Sequence, residues 1–71
     1  MLKFRLKEDE DHIKLGQLLK AVNLVSSGSE AKIVIQNGDV SVNGETCIMR
    51  GKKIISGDRV SFNGEEVIIS G

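Results

Sequence analysis

Seventy-one residues leave room for one small domain with one core and one site, and they exclude a large enclosed substrate pocket. Ten Lys and Arg balance ten Asp and Glu, which excludes a polycationic tail and leaves local charge patterning as the only electrostatic clue to a partner. Cys47 stands alone, so an internal disulfide or a multi-cysteine zinc site is excluded, and with neither a secretory signal nor a run of about 20 apolar residues the expectation is a cytoplasmic protein that does not enter a membrane.

Residues 1–7 alternate, with Leu2, Phe4 and Leu6 on one side and Lys3, Arg5 and Lys7 on the other, the period-two pattern of a half-buried strand. The three cations suit an edge strand, where charge blocks sheet-to-sheet association. Glu8-Asp9-Glu10-Asp11 breaks the alternation, and its carboxylates are placed to complement the start of a helix, with Asp11 as the expected N-cap. From His12 to Val22, the apolar residues Leu15, Leu18, Leu19 and Val22 follow the i, i+3, i+4, i+7 spacing of an amphipathic helix that ends near Asn23. Gly16 inside it costs about 1 kcal/mol relative to alanine, which makes sense where another backbone must approach closely.

Ser27-Gly28-Ser29-Glu30 has the S-x-x-E spacing of a capping box and opens a second helix. That helix is expected to bury Ala31, Val34 and Ile35, to turn Ser29, Lys32 and Gln36 outward, and to stop at Asn37-Gly38. The rest reads as strand and turn. Val40-Ser41-Val42 runs into Asn43-Gly44 and Val60-Ser61-Phe62 into Asn63-Gly64, the dipeptide that most favours a tight hairpin turn, so two hairpins are expected. Between them Arg50-Gly51-Lys52-Lys53 places three cations in four residues, and Ser56-Gly57-Asp58 is a further turn.

Catalysis finds little to work with. His12 and Cys47 are distant in sequence and read as a solvated residue and a small hydrophobe, the carboxylates of 8–11 as a solvated run. Neither zinc nor calcium spacing is present, and the glycines never form a phosphate-loop or dinucleotide fingerprint. The expectation is a protein without enzymatic activity, cofactor or metal. What can converge is charge: Lys14 from the first helix, Lys32 from the second, and Arg50, Lys52 and Lys53 from one loop, with the amides near Gly28 as a further anion site. Such a surface would neutralise phosphates. With two Phe and no Trp or Tyr, stacking platforms for bases are scarce, so recognition must rest on something else.

The order of elements, together with Leu15, Leu24-Val25-Ser26-Ser27, Glu30-Ala31-Lys32, Gly38, Val40, Val42-Asn43-Gly44, Gly57-Asp58 and Val60, resembles the S4-type (αL) RNA-binding domain. Within it, Lys14-Leu15-Gly16-Gln17, Ser27-Gly28 and Arg50-Gly51-Lys52-Lys53 are similar to the compact stand-alone bacterial YaaA/YbcJ group. The resemblance implies an α+β fold, a two-helix hairpin on a small, mostly antiparallel sheet with an N-terminal strand. It spans residues 14–62 of a single domain over 1–71. It also implies a partner, structured RNA and ribosomal RNA in particular, bound by a monomer with a place in ribosome assembly. The residues it carries over are Lys14, Lys32, Arg50, Lys52 and Lys53, with Ser27, Gly28 and Gln36 as polar neighbours. The family often has Arg-Leu-Asp where this chain has Lys14-Leu15-Gly16, and Ser-Arg where it has Ser27-Gly28.

Two other readings stay open. One is a module that docks on a ribosomal or assembly protein through the Lys3, Arg5, Lys7 face or an apolar patch. The other is a β-grasp sulfur carrier, which needs a flexible Gly-Gly end where this chain has Ser70-Gly71.

Overall fold

A computed structural model describes residues 2–71. In chain order the elements are β1 (Leu2–Arg5), β2 (Ile13–Lys14), α1 (Leu15–Ala21), α2 (Gly28–Gln36), β3 (Val40–Val42), β4 (Glu45–Thr46), β5 (Lys53–Ile54), β6 (Arg59–Phe62) and β7 (Glu65–Ser70). Five strands make one sheet in the order β1-β7-β6-β3-β4, and β2 and β5 make a separate two-residue antiparallel ladder. Within the main sheet only β1–β7 is parallel, with Leu2 opposite Val67 and Arg5 opposite Ser70. The α+β fold with an N-terminal strand is thus present, and β1 is an edge strand whose Lys3 and Arg5 are exposed. Met1, the first residue of the expected strand, lies outside the described residues.

Both expected hairpins form. Asn43 (φ 53°) with Gly44 (φ 86°) and Asn63 (φ 53°) with Gly64 (φ 81°) place two successive left-handed residues in each turn, the twist that lets a two-residue loop join antiparallel strands. The hairpins are tied together by side chains. Asn43 Nδ2 donates to Asp58 Oδ1 (3.0 Å), Arg59 N donates to Asn43 Oδ1 (2.9 Å), and Ile55 N donates to Asp58 Oδ2 (2.9 Å).

The helical hairpin covers one face of the sheet. Leu15, Leu18, Leu19, Ala31 and Ile35 reach 0% exposure against Ile54, Val60 and Val67, which are equally buried, and against Val40 and Ile69. Both helices close with the same C-terminal motif. Asn23 N donates to Lys20 O and Leu24 N to Leu19 O around left-handed Asn23, and Gly38 N donates to Ile35 O and Asp39 N to Val34 O around left-handed Gly38. The chain's last residues are part of the sheet, since Leu6 N donates to Ser70 O (2.8 Å) and a Cβ on Gly71 would lie 2.9 Å from Leu6 Cβ.

Two local expectations need correction. The first helix starts at Leu15 rather than His12, and Asp11 does not cap it. Ile13 and Lys14 are instead held extended by pairing with Ile54 and Lys53, so Lys14 becomes the N-cap, and backbone carbonyls take the helix's first amides: Leu15 N donates to Lys52 O (2.9 Å) and Gly16 N to Arg50 O (3.1 Å). At the second helix Ser27 Oγ accepts from Glu30 N (3.2 Å) as expected. The glutamate, however, reaches one residue further back, Oε1 accepting from Ser26 N (2.6 Å) and from Ser26 Oγ (3.3 Å).

Candidate nucleic-acid interface

The 50–53 loop crosses the start of the first helix because its carbonyls are that helix's cap. One consequence is steric. A Cβ on Gly16 would lie 2.8 Å from Arg50 Cγ, closer than real Cβ atoms approach, so the glycine is what allows the loop to lie there. The close approach expected from the sequence is therefore made by the chain's own arginine stem and backbone.

A second consequence is electrostatic. In the β2–β5 ladder, Ile54 is fully buried and Ile13 half-buried, which turns their neighbours Lys14 and Lys53, directly opposite one another, toward solvent. Like charges in facing positions destabilise a strand pair. Among the described residues, no carboxylate lies within 4.0 Å of the charged nitrogens of Lys14, Lys32, Arg50, Lys52 or Lys53.

The first helix start, the second helix start and the 50–53 loop enclose a notch of about 250 Å³, lined by Lys14, Gly16, Gln17, Gly28, Ala31, Arg50 and Gly51. Four of its seven lining residues are Gly or Ala; Gly16 and Ala31 are buried, and main chain is accessible at the exposed Gly28 and Gly51. Added side chains at Gly28 and Gly51 would meet nothing within 4 Å, which confirms the open space there. Ser27 sits at the rim as the second helix's N-cap; its Oγ accepts from Glu30 N, and its hydroxyl proton remains for a further acceptor.

Of the eight residues singled out from sequence, Lys14, Gly28 and Arg50 line the notch, Lys53 adjoins it opposite Lys14, and Ser27 caps the helix that bounds it. Lys32 and Gln36 are exposed, one and two turns further along the helix stripe that Gly28 begins. Lys52 lies elsewhere, in a neighbouring depression of about 500 Å³ with Val42, Asn43, Glu45, Thr46, Cys47, Ile48 and Met49. Sequence reasoning did not single out Gln17, Gly16 or Gly51 as site residues. Their signal was present only in part: Gln17 follows Lys14 by three residues, but the closeness of Gly16 to Arg50 and Gly51 joins positions 34 and 35 apart in the chain.

Just before β2 in the chain, His12 Nδ1 lies 2.6 Å from Asp11 Oδ1, a geometry in which the ring nitrogen donates. This hydrogen bond, then the charge of His12, with Lys53 adding a smaller attraction, holds the Asp11 carboxyl below its ordinary value. Cys47 Sγ points to Met49 O at 3.7 Å, and the described residues contain no group of three or more His, Cys, Asp or Glu able to hold a metal ion. Among the described residues, no helix is long and apolar enough to cross a membrane.

A helical hairpin on a five-stranded sheet, with a cationic loop laid across the first helix start, defines a small αL-type module. The chain belongs to the S4 domain family, whose profile matches residues 4–70. It is 41% identical over 56 residues to an Escherichia coli (strain K12) protein named "Putative RNA-binding protein YbcJ", covering 79% of this chain and 80% of that one. It is 39% identical over 56 residues to a Bacillus subtilis (strain 168) protein named "Probable ribosome maturation protein RlbA", covering 79% of each. The solution structure of YbcJ from E. coli, described as revealing an αL motif involved in RNA binding, superimposes with a TM-score of 0.76 at 37% identity, over 100% of this chain and 89% of that one. The 30S ribosomal protein S4e of Thermoplasma acidophilum shares the fold, with a TM-score of 0.69 at 24% identity over 82% of this chain and 31% of that one.

Proposed function

We propose that this protein is a non-catalytic, cytoplasmic RNA-binding protein that acts as a monomer, grips structured RNA, ribosomal RNA in the first instance, through phosphates and shape, and serves in ribosome assembly. The observation that carries the reading is the convergence of Lys14, Arg50 and the start of the second helix on one glycine-lined notch, in a molecule whose overall charge is zero. Cations without carboxylate partners repel one another in the free protein and gain most from an anion. Main-chain access between them suits a phosphate, which accepts from backbone N–H as readily as from side chains. The names of the relatives support the same class of ligand and point toward the ribosome.

In this reading Lys14 and Arg50 contact phosphates in the notch, Lys53 adds field beside Lys14, Gly28 leaves the second helix's first amides accessible, and Ser27 donates its hydroxyl proton at the rim. Lys32 and Gln36 extend the track along the helix, and Lys52 serves a flank. The test is equilibrium binding to purified ribosomal RNA across a salt series. Replacing Arg50, Lys52 and Lys53 together with alanine is expected to weaken binding and to flatten the dependence of log K on log[salt] by about 0.7–0.9 for each phosphate no longer neutralised, while leaving the melting temperature nearly unchanged. Unchanged affinity would remove the loop from the site.

A second reading, docking on a ribosomal or assembly protein, is favoured by Ile48 and Met49. They stand 62% and 65% exposed immediately before Arg50 in the chain. Binding to ribosomal protein that survives the triple substitution but not Ile48→Ser with Met49→Ser would favour it.

A further inference from the structure

We infer that Gly16 is a positioning residue for RNA binding: by carrying no side chain, it sets the direction of the Arg50 side chain into the notch. The inference rests on the RNA-binding reading above and concerns how its central cation is held.

The contact is with the root of the arginine, not its tip. An added Cβ on Gly16 would lie 2.8 Å from Arg50 Cγ, 3.4 Å from Cδ and 3.6 Å from the carbonyl oxygen of the same residue. A flexible side chain evades a clash at its far end by small torsional shifts, but a clash at Cγ is relieved only by changing χ1 or by moving the backbone. The backbone is fixed in turn, because Arg50 O accepts from Gly16 N at 3.1 Å and Lys52 O from Leu15 N at 2.9 Å, the two hydrogen bonds that cap the first helix. A methyl group at position 16 therefore swings the guanidinium away from its present course past Gly16, or else breaks the cap.

Among the described residues no carboxylate pairs with Arg50, so packing of its stem against Gly16 sets its direction. The other two glycines of the notch behave differently, since a Cβ at Gly28 or Gly51 would meet nothing within 4 Å. Of the three, only Gly16 is in steric contact with a cation. This also accounts for a glycine at a helix position where alanine would favour the helix.

The experiment compares Gly16→Ala, Arg50→Ala and the double variant with the parent in binding to purified ribosomal RNA over a salt series, with a thermal melt of each protein. Gly16→Ala and Arg50→Ala are each expected to flatten the log K against log[salt] slope by about 0.7–0.9, the equivalent of one phosphate, and the double variant by no more than either alone. In the Arg50→Ala background Cγ is gone, so adding Gly16→Ala is expected to raise the melting temperature. A purely structural role would lower affinity or stability without changing the slope.

A Gly16→Ala protein that keeps the parental slope while Arg50→Ala loses it overturns the inference and leaves the RNA reading standing, as does a double variant whose losses add. An Arg50→Ala protein with unchanged affinity and slope overturns both. Should Gly16→Ala alone melt below the assay temperature, a folded double variant that binds like Arg50→Ala supports the inference. An unfolded double variant overturns it, because the glycine would then be accommodating something other than the arginine stem.

Discussion

The clasp between the two hairpins and the notch beside the first helix are both built on turns, yet they treat their polar groups oppositely. At the clasp all four polar side-chain atoms of Asn43 and Asp58 have partners: Asn43 Nδ2 and Asp58 Oδ1 bind each other, while Arg59 N and Ile55 N take the remaining two oxygens. Around the notch, Lys14 faces Lys53 and Arg50 passes Gly16, and among the described residues no carboxylate comes within 4.0 Å of their charged nitrogens. Satisfied groups fix a shape, and unsatisfied charge is available for a ligand. The asparagine of V-N-G and the aspartate of G-D serve the scaffold, and in the RNA-binding reading proposed above the cations serve the ligand, although both lie in turns of similar composition.

The harshest way to break that division is to remove what both regions stand on. Leu18 is fully buried under the helical hairpin, and Leu18→Ala is expected to cost about 2–5 kcal/mol, measured by urea denaturation, a large part of the stability of so small a domain. It should abolish RNA binding only to the extent that the protein unfolds. Asp58→Ala sharpens the contrast. It is expected to cost about 1–3 kcal/mol through the loss of two solvent-exposed hydrogen bonds at about 0.5–1.5 kcal/mol each, with the salt slope of RNA binding unaltered in the folded fraction. A changed slope would move the clasp into the binding surface.

The smallest effect concerns Asp11. Its carboxyl is held below the ordinary 3.8 by the hydrogen bond from His12, so the folded state binds this proton less readily than the unfolded chain. The resulting stabilisation is present above the ordinary carboxylate range and lost as the pH falls through the lowered value. Melting temperatures taken from about pH 5 down to about pH 3 should fall less steeply for Asp11→Asn than for the parent. Equal slopes would mean that the pair contributes nothing in solution.

Legibility from sequence followed the range of the interactions. Ser27 as a cap, Gly38 as a helix stop and both Asn-Gly turns are settled by neighbours within a few residues, and the sequence patterns located them. The first helix start was misplaced for a definite reason. Ile13 and Lys14 are extended because residues 53 and 54 pair with them, and a two-residue strand carries too little alternation to compete with the apolar spacing of Leu15, Leu18 and Leu19. The acidic run also looked like a cap, but the helix's amides are already taken by Arg50 O and Lys52 O. The candidate site was legible in its cations and not in its shape. Lys14 and Arg50 could be named, whereas the turning of Lys52 toward Cys47 and the closeness of Gly16 to Arg50 follow from how the loop crosses the helix.

The parallel pairing of β1 with β7 has a consequence for biosynthesis. Leu2–Arg5 is translated well before Glu65–Ser70, its strand partner among the described residues, about sixty residues further along the chain. Closing so distant a pair carries the largest chain-entropy cost in the sheet, so it belongs to the last stage of folding. Until β7 has been made the nascent chain exposes an unpaired β6 edge and an orphan strand, and the lysine and arginine on that strand keep it from associating with other chains while it waits.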